Sequence, residues 1–336
     1  MYRELGHDWD IGSITAYWEV ENFPTGNVIV EDPVFFGNEG TDDYHPDIAI
    51  DPATGDKHIV WTGYCGTEYH PYRLNYVRYD YAASEWSDQE MIYESEYDYA
   101  AWAPRIAIGN AGGDFGEVVG IVYSSFSGQE NHYARDHWHI GLAYWDIDNE
   151  GPQDAKFIHF SSDELADAGF PRIGLAPRLC DYEDGCGSIV FARNDGGDPI
   201  TFKVMEINNI RNSIWEIDDT GNGGFFGAVS IHYPNGDPEA SLSYFDRNTQ
   251  NGWKVRVGRF LLEDDSPSPA WPDIDTYILG ELTYDDFIDF LTIETFQAGD
   301  IVTISSGGFD NAYWVGFCDY IDSGASCVKV AYGYSE

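Results

Sequence analysis

The chain has 336 residues and carries 17 Lys+Arg against 59 Asp+Glu, a formal net charge of −42. Phosphate backbones and anionic bilayer surfaces need cationic partners, so the charge excludes nucleic acid and speaks against a membrane surface. No apolar run approaches the ~18 residues of a membrane span, so no membrane insertion is expected, while a 43% hydrophobic share is ample for a core.

The chain holds 24 Tyr, 19 Phe, 11 Trp and 36 Gly. Abundant aromatics, many glycine turns and few helix-forming stretches predict an all-β protein. The opening MYRELGHDWD lacks the basic-then-apolar layout of a signal peptide.

In chain order, SITAYWEVE (13–21) and NVIVEDPVF (27–35) read as two strands. A repeat then begins. Its first unit is YHPDIAIDPATGDKHIVW (44–61), a strand, tight turn and strand, followed by LNYVRYD (74–80) and QEMIYES (89–95). The second unit has strands at 102–109, 117–125, 139–146 and 156–162, and the third at 169–179, 188–193, 201–207 and 213–219. The fourth has strands at 223–233, 240–246, 253–260 and, after an acidic insertion at about 262–298, at 300–307. The fifth has only 307–320 and 327–334. The two C-terminal strands should therefore share one sheet with the two N-terminal strands. Four strands per unit, closed by both termini, make residues 1–336 a single five-bladed β-propeller. A six-bladed count, drawing an extra sheet from the insertion, is the alternative.

The repeated pattern P-x-I-A, short turn, apolar strand with a terminal aromatic, then Y-x-x-Y/W-D resembles the sialidase-like extracellular propellers with degenerate BNR or Asp-box repeats. RYDYAASEW (78–86) and YFDRNTQNGW (244–253) echo the Asp-box turn. The resemblance spans nearly the whole chain and implies an extracellular or cell-surface setting. Five blades also resemble the furanosidase-type glycosidase propellers, which implies acids at the start of the innermost strands of blades one to three. Here those positions read Asp47, Arg105 and Arg172.

The innermost strands start on one face of a propeller, and the loops between second and third strands lie on that face too. Blade one brings His45, Asp47 and, in the loop 62–73, His70 to this mouth. Blade two brings Trp102, Arg105 and, in the loop 126–138, His132 and Tyr133. Blade three brings Arg172, or Arg178 if its strand starts later. Rings that stack on sugar faces beside forked donors suit a glycan, and the two arginines, recurring in PRIAI and PRIGL, suit an anionic one. A salt bridge from each arginine to a neighbouring blade's acid is the structural alternative.

On the opposite face, Cys180 and Cys186 flank one hairpin turn and Cys318 and Cys327 flank its equivalent in blade five. Two copies of one device predict two local disulfides and an oxidising compartment, with Cys65 left over. Zinc is the alternative. The turn DIDNEGPQD (146–154) offers Asp146, Asp148, Glu150 and Asp154 in the order of a calcium loop, although Phe157 stands where a bidentate Glu belongs. Structural Ca2+ is the one cofactor this turn implies.

The sequence thus predicts a glycan-binding, adhesion or scaffold module, in a larger surface assembly. The alternative is a polysaccharide-active enzyme, a glycoside hydrolase or uronate lyase, at the channel mouth. No catalytic residue is assigned.

Overall fold

The structure is a computed structural model. It describes residues 2–3, 9–13, 16–17, 29–30, 33–37, 43–51, 53–64, 72–92, 100–110, 116–126, 138–160, 167–176, 186–194, 201–210, 213–232, 239–248, 252–261, 281–282, 302–304, 312–321 and 325–334. These residues are almost all β, with a single 3-10 turn at Pro152–Asp154. Among them no helix is long and apolar enough to cross a membrane.

Blade one is the antiparallel series Asp43–Ile50, Lys57–Tyr64, Tyr72–Asp80 and Glu90–Ile92, with a short Glu85–Trp86 strand also on the third. Blade two is Ala100–Asn110, Glu117–Phe126, Trp138–Asp146 and Lys156–Phe160. Both match the expected four-stranded repeat. Apolar runs such as EVVGIVY follow from burial on both faces. Val119, Ile121 and Trp145 pack toward blade one with Val60, Leu74 and Tyr76. Their neighbours Val118, Val122 and Leu142 pack toward blade three with Ile173, Ile189 and Ile207. Close seating depends on Gly120, where an added Cβ would lie 3.0 Å from the Ile173 Cδ1.

Blade three starts with Asp167–Leu175, Gly187–Asn194 and Thr201–Asn209. Its fourth strand and the first strand of blade four are one continuous strand, Ser213–His232, which joins the two blades into a seven-stranded sheet. The sequence placed a break at 220–222. DTGNGG reads as a turn, yet the chain runs through it extended, pairing Asp219 with Lys203 and Gly224 with Asp246.

Two further expectations are corrected. The fourth strand of blade four is Glu281–Leu282, from within the insertion, which pairs with Gly252–Leu261. The segment expected there, at 300–307, instead supplies Val302–Ile304 to Ala312–Ile321, which continues to Ala325–Tyr334. The shared terminal blade is not found among the described residues. Ala16–Tyr17 pairs only with Ile29–Val30, and Val34–Phe36 pairs with Trp9–Ser13, a strand the sequence reading missed. The reason lies in packing: Ile11 is buried with Ile59, Trp61 and Val77, with Phe36 against them, so this N-terminal sheet covers the outer face of blade one.

Candidate functional site

The inner strands of blades one to four carry the same irregularity. Between Tyr44 and Asp47 the inner strand of blade one advances three residues while its partner advances two, from Thr62 to Val60. The same one-residue bulge lies between Trp102 and Arg105, Gly169 and Arg172, and Phe225 and Ala228. The first three contain Pro46, Pro104 and Pro171. Proline brings no N–H to a ladder, so a bulge is where a strand tolerates it. His45 and Ala103, each just before its proline, take left-handed φ values of 53° and 50°. The recurrence of Asp47, Arg105 and Arg172 at one repeat position is thus real in the backbone.

Opposed residues share a sheet face, so the bulge puts Tyr44 and Asp47, three apart in sequence, on the same side of blade one. Both reach blade two. The Tyr44 and Trp102 ring centroids are 5.5 Å apart, and Asp47 Oδ2 accepts a 2.9 Å hydrogen bond from the Ile106 backbone N–H. Trp102 also meets the edges of His45 at 4.4 Å and Tyr72 at 4.8 Å. Tyr72 opposes Tyr64 across the hairpin, with ring centroids 5.6 Å apart. The result is an aromatic group of half-buried Tyr44, His45, Tyr72 and Trp102 with exposed Tyr64, where two inner strands begin and the Tyr64–Tyr72 hairpin meets them. Tyr64 and Tyr72 were missed as site residues. Their signal was available: they bracket the loop 62–73, on the face already singled out.

Arg105 is buried, and its Nη1 donates to the Pro104 carbonyl at 2.9 Å. Arg172 is half-buried and repeats the device, donating to the Pro171 carbonyl at 3.3 Å. His70, His132, Tyr133 and Arg178 lie outside the described residues. The structure therefore brings His45 against Trp102 and Asp47 against the Ile106 amide, and sets Arg105 and Arg172 at equivalent places in blades two and three.

On the opposite face several polar groups are answered by the chain around them. Asp51, almost fully buried, accepts from the Ala53 and Thr54 amides and from Thr54 Oγ1, at 2.6, 3.2 and 2.6 Å, and so holds the first turn of blade one. Arg78 holds Asp56 through Nε at 2.9 Å and through Nη2. Burial works against the Asp56 carboxylate, but the Tyr81 amide and Arg78 outweigh it and hold its pKa below the usual value. Behind them His58 is buried, with Nδ1 2.6 Å from the Tyr76 hydroxyl and no partner for Nε2. Burial, then the Arg78 charge, pushes His58 down to about 4. Glu117 is raised to about 7 by burial, then by the Asp51 and Asp148 charges, and it is hydrogen-bonded to Asp51.

Three acids of the 146–154 turn, Asp146, Glu150 and Asp154, meet donors of the chain itself. Asp146 accepts from the Asp148 and Asn149 amides and from Asn149 Nδ2. Glu150 is paired with Lys156 at 2.5 and 2.7 Å, which holds its pKa below the usual range. Asp154 accepts from the Gly151 amide at 3.2 Å. Among the described residues no three His, Cys, Asp or Glu side chains are grouped so that they would hold a metal ion.

The backbone register bears on one of the two expected cysteine pairs. The register opposes Asp319 to Cys327 and Cys318 to Val328, so the two cysteines of that hairpin are not cross-strand partners. A bridge between neighbouring strands needs Cα atoms about 5.5–6 Å apart, as opposed positions provide. Cys186 is buried in blade three, where its amide donates to the Ile207 carbonyl at 2.6 Å. Cys180 and Cys65 lie outside the described residues.

No family model matches the chain, and no curated protein matches it. Solved structures do. The NanB sialidase from Streptococcus pneumoniae superposes with a TM-score of 0.56 at 11% identity, over 97% of this chain and 64% of that one. An α-L-arabinofuranosidase from Lactobacillus brevis gives 0.46 at 10% identity, over 85% and 89%. An exo-β-1,3-galactanase from Phanerochaete chrysosporium gives 0.45 at 11% identity, over 85% and 59%. The chain thus spans less than two thirds of the sialidase and of the galactanase. The sialidase alignment carries the conclusion, and it concerns architecture: the chain has a sialidase-like β-propeller fold.

Proposed function

We propose that this chain is a carbohydrate-active propeller of the glycoside-hydrolase kind, which holds its glycan where the inner strands of blades one and two begin. The observation that carries the reading is the aromatic group around Trp102, with His45, Tyr44 and Tyr72 against it. Half-exposed rings offer apolar faces to the C–H side of a pyranose, and the neighbouring arginine positions suit a carboxylate on an anionic sugar. An extracellular or cell-surface setting is part of this proposal.

A second reading, binding without turnover, has its own observation. Glycoside hydrolysis uses two carboxyl groups flanking the scissile bond. Of the three equivalent positions two are arginine, and the Asp47 carboxylate is already bonded to a backbone amide. The experiment is reducing-end release from xylan, polygalacturonate and 3′-sialyllactose, with tryptophan fluorescence titration alongside. Hydrolysis predicts release that Trp102→Ala lowers at least tenfold. Saturable fluorescence change without release selects the binding module, and neither signal rejects both readings.

A further inference from the structure

We infer that Asp47 is a positioning residue: it clamps the inner strand of blade two to blade one and so sets Trp102 and Arg105 in the mouth. The inference builds on the proposed glycan site, but its structural half stands without it.

Among the described residues the inner strand of blade two forms a ladder with Glu117–Phe126, and on its other edge Asn110 bridges Ala176, donating to its carbonyl at 2.7 Å. Away from that bridge the same edge presents backbone N–H groups outside any ladder. The bulge at Ala103 and Pro104 shifts the register just before Ile106, and Asp47 Oδ2 accepts the Ile106 N–H at 2.9 Å. A carboxylate accepting from a backbone amide makes a stronger bond than a neutral pair. Asp47 is free to reach across because its own bulge turns it to the blade-two side, together with Tyr44. The clamp joins blade two one residue after Arg105 and four after Trp102. Trp102 then meets Tyr44, His45 and Tyr72, all on blade one. One side-chain oxygen and one ring thus bridge the same two blades. A carboxylate serving as general base would make a different demand. It must titrate and face the substrate, whereas a clamp needs only an acceptor oxygen.

That contrast gives the test. Asp47→Asn keeps an acceptor oxygen and removes the titrating group, whereas Asp47→Ala removes both. The full chain is unfolded thermally as wild type, Asp47→Ala, Asp47→Asn, Trp102→Ala and the two double variants with Trp102→Ala. The clamp predicts that Asp47→Ala lowers the melting temperature by several degrees and that Asp47→Asn recovers most of the loss. It also predicts that Trp102→Ala costs clearly less in the Asp47→Ala background than in wild type, because the inter-blade ring contacts are already loosened. In the sugar assays, Asp47→Asn should keep at least a third of wild-type binding or release while Asp47→Ala loses tenfold. Additive melting shifts, or an Asp47→Ala chain as stable as wild type, would overturn the clamp. So would an Asp47→Asn chain of wild-type stability whose release falls a hundredfold, which would make Asp47 the base. If Asp47→Ala does not fold, the Asp47→Asn chain decides alone: wild-type-like folding supports the clamp, and failure to fold contradicts it. A wild type that answers no sugar sinks the glycan reading and leaves the melting comparison to judge the clamp.

Discussion

The two ends of blades one and two are built on opposite rules. At the lower end several charged groups are answered close by: Asp51 by its own turn, Asp56 by Arg78, Glu150 by Lys156, while the buried His58 Nε2 is left unanswered. At the mouth the chain departs from regular pairing in four successive inner strands, and it holds two non-glycine residues at positive φ within two of those bulges, against Ser84 alone in a tight turn at the lower end among the described residues. Backbone irregularity persists only where surrounding structure enforces it, and it concentrates where side chains must be aimed. The lower end therefore reads as scaffold and the mouth as the working face. A rule of substitution follows: changes below should cost stability, ring changes above should cost recognition, and Asp47, which ties two blades together at the mouth, should cost both.

The largest effect should come from the scaffold side. Trp145 is almost fully buried and meets the Tyr76 ring edge-on at 5.2 Å. Trp145→Ala should destabilise by about 3–5 kcal/mol, read as a lowered urea midpoint. Trp102→Ala, at a half-buried ring, should cost clearly less stability and yet remove sugar binding. Equal stability losses at the two tryptophans would erase the distinction between the ends.

Acid should act next. His58 is held down to about 4 by burial and then by Arg78, against an ordinary 6.5. The unfolded chain therefore takes up the proton first, so the contribution of neutral His58 is complete above pH 6.5 and is lost as pH falls through about 4. The loss should reach about 3 kcal/mol at most. Asp51 and Asp56 face the ring and soften it, while Arg78 and the unanswered Nε2 oppose the charge. A His58→Gln chain should show a flatter stability–pH curve between pH 4 and 6.5, and an unchanged slope would contradict the assignment.

Glu117 should act in the opposite sense and more weakly. Its pKa is raised to about 7 from 4.5, so its contribution is complete below pH 4.5 and fades as pH rises through about 7. Solvent screens this partly exposed carboxyl. Glu117→Gln should keep the bond to Asp51 and remove that fading. Comparing urea midpoints at pH 5 and pH 8 checks the sign, which must be the reverse of the His58 effect.

The smallest effect concerns sulfur. With Cys318 and Cys327 out of register, reducing agent should leave the 312–334 hairpin unchanged. Peptide mapping after alkylation without reduction should find both residues labelled, and a Cys318–Cys327 crosslinked peptide would show the register to be shifted by one residue.

Much of this fold was legible in the residues. Blades one and two were readable because doubly buried strands leave long apolar runs between polar turns, as in EVVGIVY and HIGLAYW, and the recurring PRI tripeptides fixed the repeat phase. The continuous strand through 220–222 was not readable, because glycines that usually mark turns here stay extended within a sheet. The strand at Trp9–Ser13 was hidden by its shortness. At the mouth the sequence singled out His45, Asp47, Trp102, Arg105 and Arg172 by repeat position. It could not show that Asp47 spends an oxygen on Ile106, because that bond joins residues 59 apart through blade packing. Tyr64 and Tyr72 escaped because aromatics are common in every strand here, and only the hairpin register brings these two together.

The most direct measurement of the working-face claim is a fluorescence titration with 3′-sialyllactose on three full-length chains: wild type, Trp102→Ala and Glu150→Gln. The account predicts saturable binding by wild type, loss of at least tenfold in affinity for the mouth variant, and wild-type affinity for the lower-face variant. Equal affinity in the Trp102→Ala chain, or a loss confined to the Glu150→Gln chain, would contradict it.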